Sequence, residues 1–194
     1  LTPPKLILAS SSPRRKELLS QYGYQFEIRP ADIQEVAPPH LSAQEIVLLN
    51  ARLKCSAVAA LFPGAVVLGV DTLVAFQDEV LGKPPDMNAA ERMLERLNGN
   101  THQVFSAVTL QWLAREVTQE FVVATQVTFR NLSPEDRRIY LHRIGPLDKA
   151  GAYAAQDDQN TLIARVEGSF SNVVGLPMET LAPTLAALNI LPSR

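Results

Sequence analysis

Cysteine is nearly absent from this 194-residue chain: Cys55 stands alone. No intrachain disulfide can form, and no all-thiolate metal site can be built. Such usage fits a reducing compartment, and the cytoplasm is the expected location. Lysine is scarce as well. Only Lys5, Lys16, Lys54, Lys83 and Lys149 occur among 18 basic residues, the other thirteen being arginines. An excess of either charge is also lacking. Twenty acidic residues leave a net charge of −2 with no basic tail, which excludes a broadly electrostatic binder of nucleic acid or of an anionic membrane and leaves room for a local basic pocket. There is no secretory leader pattern. No uncharged apolar run reaches the roughly 18 residues of a membrane-spanning helix. His40, His102 and His142 are scattered and make no zinc pattern. What is present, 46% hydrophobic and 20% charged residues, is the composition of a globular protein of one-domain size.

Strand and helix patterns alternate along the chain. Lys5–Ser10 (KLILAS) reads as a buried strand, followed by a helix opened by Ser12 as cap and Pro13 in its first turn. Phe26–Arg29 reads as a second strand. The proline-rich loop PADIQEVAPP leads to a helix over Ser42–Ala60, where Ser42 and Glu45 form a capping-box pattern. Ala65–Ala75 (AVVLGVDTLVA) is the most hydrophobic stretch and reads as a central strand. GKPPDM reads as a turn, Asn88–Leu97 as a helix, and Thr101–Leu113 and Glu116–Phe129 as neighbouring strands. Ser133–His142 is expected to be helical, Gly145–Gly151 a loop, Thr161–Glu167 a strand and Leu176–Leu188 a final helix interrupted or kinked at Pro183. The expected architecture is α/β: a central twisted mixed sheet with flanking helices. A single domain spans 1–194, with roughly 101–150 contributing to a second lobe over a cleft.

Four features carry chemistry. Ser10-Ser11-Ser12-Pro13-Arg14-Arg15 places hydroxyls, guanidinium groups and helix-start N–H groups at a strand-to-helix turn. That set suits phosphate, and equally reads as an N-cap followed by surface arginines. It is not a Walker loop, because the glycines and the Lys-Ser/Thr ending are missing. Asp71 lies within a strand too apolar to hold a carboxylate without a partner or a metal; capping of a neighbouring turn is the plainer alternative. Thr72 follows it and faces the opposite side of a regular strand. Glu35, in the proline-rich loop, pairs with Asp71 as an oxygen-ligand set for Mg²⁺ or Mn²⁺. Lys54, on the second helix, and Lys83, in a Gly-Lys-Pro turn, are candidate phosphate partners.

LILASSSPRRKELL, GVDT around Asp71, GKP at Lys83, FSAVTL, LDKAGAY and VVGLP occur in an order that resembles the Maf family over nearly the whole chain. These proteins are described as septum formation inhibitors and nucleoside triphosphate pyrophosphatases. The resemblance implies a fold similar to the inosine triphosphate pyrophosphatases, with two lobes around a cleft. It implies hydrolysis of a nucleoside triphosphate between the α and β phosphates, dependence on a divalent metal, and a homodimer. Matched motif by motif, Ser10, Arg14, Arg15, Glu35, Lys54, Asp71 and Lys83 would form the polar site. The family's proton acceptor falls on Asp71. Read from the residues themselves, Glu35 and Asp71 are the candidate metal ligands, with Asp71 as orienter or base of the attacking water the alternative, and Lys54 and Lys83 are candidate catalytic cations. Arg14, Thr72 and Gln156 match the branch that resembles dTTP and UTP pyrophosphatases, and differ from the tryptophan, glutamine and glutamate of the 7-methyl-GTP branch. Where the family loop after AGAY is glycine-rich, this chain reads Gln156 to Asn160 without glycine. The alternatives in function are a non-catalytic nucleotide-binding regulator of septation and a 7-methyl-GTP-type specificity.

Overall fold

The computed structural model describes residues 3–77, 79–156 and 161–193. Its frame is one mixed seven-stranded sheet. The strands are β1 (Leu6–Leu8), β2 (Glu27–Ile28), β3 (Val66–Phe76), β4 (Glu79–Leu81), β5 (Thr101–Trp112), β6 (Val117–Phe129) and β7 (Ile163–Glu167). They run in the order β2-β1-β3-β5-β6-β7, with β4 also paired to β3. The helices are α1 (Pro13–Gln21), α2 (Ala43–Ala59), α3 (Met87–Leu97), α4 (Pro134–Ile144), α5 (Phe170–Val174) and α6 (Met178–Ala187). The expected α/β class is therefore observed, and residues 101–150 supply β5, β6 and α4 to this frame.

One discontinuity decides where a ligand can enter. β3 pairs with β5 along most of its length, from Val67 to Ala75. On its other edge β1 pairs only up to Leu68, and β4 only from Val74 onward. Gly69–Leu73 thus face a gap between two short strands.

The same position divides the core. Alternate side chains of β3 point to one face. Val66, Leu68 and Val70 join a cluster with β1, Leu19 and α6, whereas Val74 and Phe76 join a second with α3, α4 and Phe129. Thr72 lies between them, and the seam is polar. Thr72 Oγ1 shares a hydrogen bond with Ser106 Oγ at 2.9 Å, and Ser106 Oγ donates to the Asn172 carbonyl.

On the opposite face α2 lies directly on β3. Its capping box forms as the sequence implies: Ser42 Oγ accepts from the Glu45 N–H, and the Glu45 carboxylate accepts from the Ser42 N–H. Contact is closest at Gly69, where an added Cβ would lie 2.4 Å from the Ala51 carbonyl oxygen and 2.6 Å from Cys55 Cβ. Cys55 is fully buried there; its thiol donates to the Val67 carbonyl, and burial pushes its pKa up to about 12.

Several expectations need correction. β4 and α5 went unread because a three-residue strand, Glu-Val-Leu, and a five-residue helix are too short to show a period. Ser12 is the N-cap of α1, but its side chain makes no capping bond; instead the Ser12 N–H donates to Ser10 Oγ at 3.2 Å. Gly145–Gly151 is tighter than a loop, with 3₁₀ turns at Pro146–Asp148 and Ala150–Ala152. The last helix starts two residues later than expected and runs unbroken through Pro183.

Gly69→Ala should destabilise the protein by about 3 kcal/mol, because backbone and not a flexible side chain blocks the new methyl. Urea unfolding measures this. A loss below about 0.5 kcal/mol, the range of surface substitutions, would show that α2 can move away freely.

Candidate functional site

The gap beside β3 opens into a cavity of about 370 Å³. Ser10, Arg14 and Arg15 line it from the β1–α1 turn, Glu35 from the long loop, and Lys54 from α2. Asp71 and Thr72 come from β3, Lys83 from the turn after β4, and Gln156 from the segment after the second 3₁₀ turn. All nine residues singled out by sequence line this one space. Asp71 and Thr72 lie on opposite faces of β3, as alternation requires. Both reach the cavity because neither neighbouring strand covers that edge.

Arg15 organises the floor. Its guanidinium is buried, and burial lowers its pKa, with partial compensation from Asp71. Nε donates to the Gly175 carbonyl at 2.9 Å, and Nη1 to Ser10 Oγ at 3.0 Å and to the Val70 carbonyl at 3.1 Å. Nη2 donates to Thr72 Oγ1 at 3.0 Å. Four of the five donors of a guanidinium are thereby engaged by the protein. Arg14 is more available. Its one tie is to Asp148 at 3.4 Å, among the described residues.

The acidic pair meets at Lys54. Its ammonium lies 2.5 Å from Glu35 Oε1 and 2.6 Å from Asp71 Oδ1. Asp71 is 4% exposed, and burial raises its pKa against the opposing pull of Lys54 and Arg15. Glu35 is half-exposed. Burial pushes its carboxyl up, but the hydrogen bond and charge of Lys54, helped by Lys83 and Arg15, hold it below the ordinary value. Two carboxylates with such different surroundings suit different tasks.

Those two acids also converge on one cationic point, as a hard cation requires. No cluster of three or more His, Cys, Asp or Glu residues exists among the described residues. The two carboxylates supply the oxygen donors that hard divalent cations take.

Several contributors carried no motif signal. Asn50 is buried; its amide accepts from the Val36 N–H and donates to the Val36 carbonyl, pinning the Glu35 loop to α2. It also reaches Asp71 Oδ2 at 3.5 Å. Its place four residues before Lys54, hence on the same helix face, was the available clue. Lys149 does not project freely. It donates to the Gly145 carbonyl and to Asp148, closing the end of α4. Tyr153 lines the cavity while its hydroxyl lies 3.0 Å from Nε2 of buried His102. The glycine-free loop after Gln156 falls on Asp157–Asn160, outside the described residues.

A family model described as Maf-like protein matches residues 5–188. The chain belongs to the Maf family. It is 49% identical over 178 residues to a protein of Myxococcus xanthus named dTTP/UTP pyrophosphatase, covering 91% of this chain and 89% of that one. Proteins of the same name from Anaeromyxobacter dehalogenans and Bacillus velezensis are 46% and 43% identical. They cover 94% and 96% of this chain, and 93% and 97% of their own lengths. Of the Maf motifs quoted from the sequence, those around Ser10–Arg15, Asp71, Lys83, Lys149 and Gly175 contribute to the cavity wall, and FSAVTL lies outside it.

Burial lowers the pKa of His102 to about 4. Its unfolded value is about 6.5, so between these values the unfolded chain takes a proton that the folded protein refuses. Stability therefore falls as pH drops through that window, by about 2 kcal/mol from pH 7 to pH 5 for this group. In urea titrations at both pH values, His102→Gln should lose that part of the difference. An unchanged difference would show that His102 is already protonated in the fold.

Proposed function

We propose that this protein hydrolyses nucleoside triphosphates between the α and β phosphates, with dTTP and UTP as preferred substrates. The observation that carries this reading is the convergence of Ser10, Arg14 and Lys83 with the Glu35–Lys54–Asp71 cluster in one cavity. Such a set neutralises a polyphosphate and places a carboxylate within the same space. The names of the relatives support the choice of substrate.

The triphosphate lies against the Ser10–Arg15 turn, where the first N–H groups of α1 and the Ser10 hydroxyl meet anionic oxygens. Arg14 and Lys83 flank the leaving pyrophosphate. Arg15 shapes the floor and contributes its charge from below, since most of its donors face the protein. Glu35 and Asp71 would hold a divalent cation, Mg²⁺ or Mn²⁺, which when bound supplies charge neutralisation at the phosphates and a template for their alignment. Asp71 takes the proton of the attacking water through a carboxylate oxygen that the cation leaves free. The new bond joins water oxygen to the α phosphorus. The bond from that phosphorus to the bridging oxygen breaks, and pyrophosphate leaves with the electron pair. Lys54, released from one of its two carboxylates, stabilises the developing negative charge.

Gln156 is assigned to the base, because an amide offers a donor and an acceptor to a pyrimidine edge. The working unit is a single domain over 1–194, with 101–150 forming part of the second lobe. A cytoplasmic location and a homodimer belong to the same reading. No helix among the described residues is long and apolar enough to cross a membrane.

Asp71→Asn should lower pyrophosphate release from dTTP by at least about 100-fold, the contribution of a positioned general base, with circular dichroism unchanged. Full activity in this variant overturns the mechanism. Orthophosphate as the first product of the wild-type protein would replace it with a phosphomonoesterase or γ-phosphatase reading. Nucleotide binding without turnover would favour a regulator.

A further inference from the structure

The stretch Ala152–Ala155 is buried, yet it belongs to neither the sheet nor a long helix. Buried peptide groups outside regular structure need partners from elsewhere. For Ala154 that partner is a side chain. Tyr140 on α4, 1% exposed, accepts from the Ala154 N–H at 3.2 Å and donates to the Ala154 carbonyl at 3.3 Å. One phenol thus takes the place of an adjacent strand for that peptide unit. Beside it, the Tyr153 hydroxyl is tethered to His102, and the rings of His102, Phe129 and Tyr153 stack edge to face at 4.6–5.4 Å. On the other side the Gly151 N–H donates to the Gly82 carbonyl, and any Cβ on Gly151 would press on Val74 at 3.1 Å. The backbone is therefore fixed at three successive points, just before it delivers Gln156 to the cavity wall.

We propose that Tyr140 is a positioning residue for base selection. It contributes nothing to the cavity lining and acts through Ala154, two residues before Gln156. This inference rests on the assignment of Gln156 to the nucleotide base. The phosphate-binding groups come from α1 and the turn before it, α2, β3 and the turn after β4, whereas the paired bonds of the Tyr140 hydroxyl are made to the Ala154 peptide. Loosening the Ala154 peptide consequently moves the base reader and leaves the reacting end in place. The clamp predicts a split that a general loss of stability does not produce: base discrimination falls while phosphate chemistry persists.

Tyr140→Phe keeps the ring in the core and removes only the hydroxyl. Pyrophosphate release is measured with dTTP, UTP, dATP and GTP, and tripolyphosphate cleavage provides a substrate without a base. KM for dTTP should rise about tenfold, the effect of leaving a buried N–H and C=O unpaired. kcat should stay within about twofold, the preference for dTTP over dATP should shrink, and tripolyphosphate cleavage should be unchanged. Equal losses on every substrate, or an unaltered preference, overturn the proposal. Should this variant fold poorly, the same assays are run in sucrose, which favours the compact state, and are judged by the same outcomes. Gln156→Ala separates the clamp from the assignment beneath it. If Gln156→Ala leaves the preference intact while Tyr140→Phe alters it, the clamp stands and Gln156 is not the reader. If only Gln156→Ala alters it, the clamp fails alone.

Discussion

A guanidinium buried against an unpaired strand edge is the contact on which the site depends. β3 loses its neighbour after Leu68, and its backbone groups there would otherwise face an open gap. Arg15 supplies a replacement at Val70 and simultaneously binds Ser10, Thr72 and the Gly175 carbonyl. A buried charge is tolerable only when its hydrogen bonds are met. Here the demand for partners draws three separated stretches of chain, the Ser10–Arg15 turn, β3 and Gly175, to one place. The cavity is the space left beside that junction.

The opposite face of β3 obeys a related constraint. Gly69 permits α2 to lie close enough for Lys54 to bridge Glu35 and Asp71. The arrangement balances two acids with one ammonium ion, leaving Glu35 below and Asp71 above their ordinary pKa values. Substrate approaches with further negative charge, so a second cation becomes favourable as phosphate enters. Arg14 and Lys83 stand where they can meet the same charge. The chain's small net charge conceals this local excess of cations.

Much of this was legible in the sequence, for identifiable reasons. Long strands such as β3, β5 and β6 declare themselves by apolar runs, and α2 by its capping box. Asp71 was conspicuous because a carboxylate in VVLGVDTLVA has no cheap explanation. Ser10, Arg14, Arg15, Asp71 and Lys83 stood out because each sits in an unusual local setting, a serine-rich turn, an apolar strand or a Gly-Lys-Pro turn, whereas Gln156 was reached through the family resemblance. Other features left no local mark. Asn50 and Tyr140 look like ordinary helix residues, and their importance comes from loop backbone that packs on them far along the chain. Arg14 and Arg15 are adjacent and chemically identical, yet one sits at the cavity surface and the other beneath it. That difference is set by the helix turn and by Gly175, which no spacing rule discloses. β4 was too short to see, although it defines one end of the gap.

The partners of Arg15 have a consequence for how the molecule can be divided. Ser10, Val70, Thr72 and Gly175 span 165 positions of the sequence. Cutting the chain anywhere between them separates groups that must share one cation. The N-terminal half carries most of the cavity residues, yet its buried guanidinium needs the Gly175 carbonyl from the far end of the chain to complete its partners. A segment exchanged with another protein would have to keep both ends of that junction, whereas the wall around Gln156 carries none of its bonds and is free to vary without disturbing it.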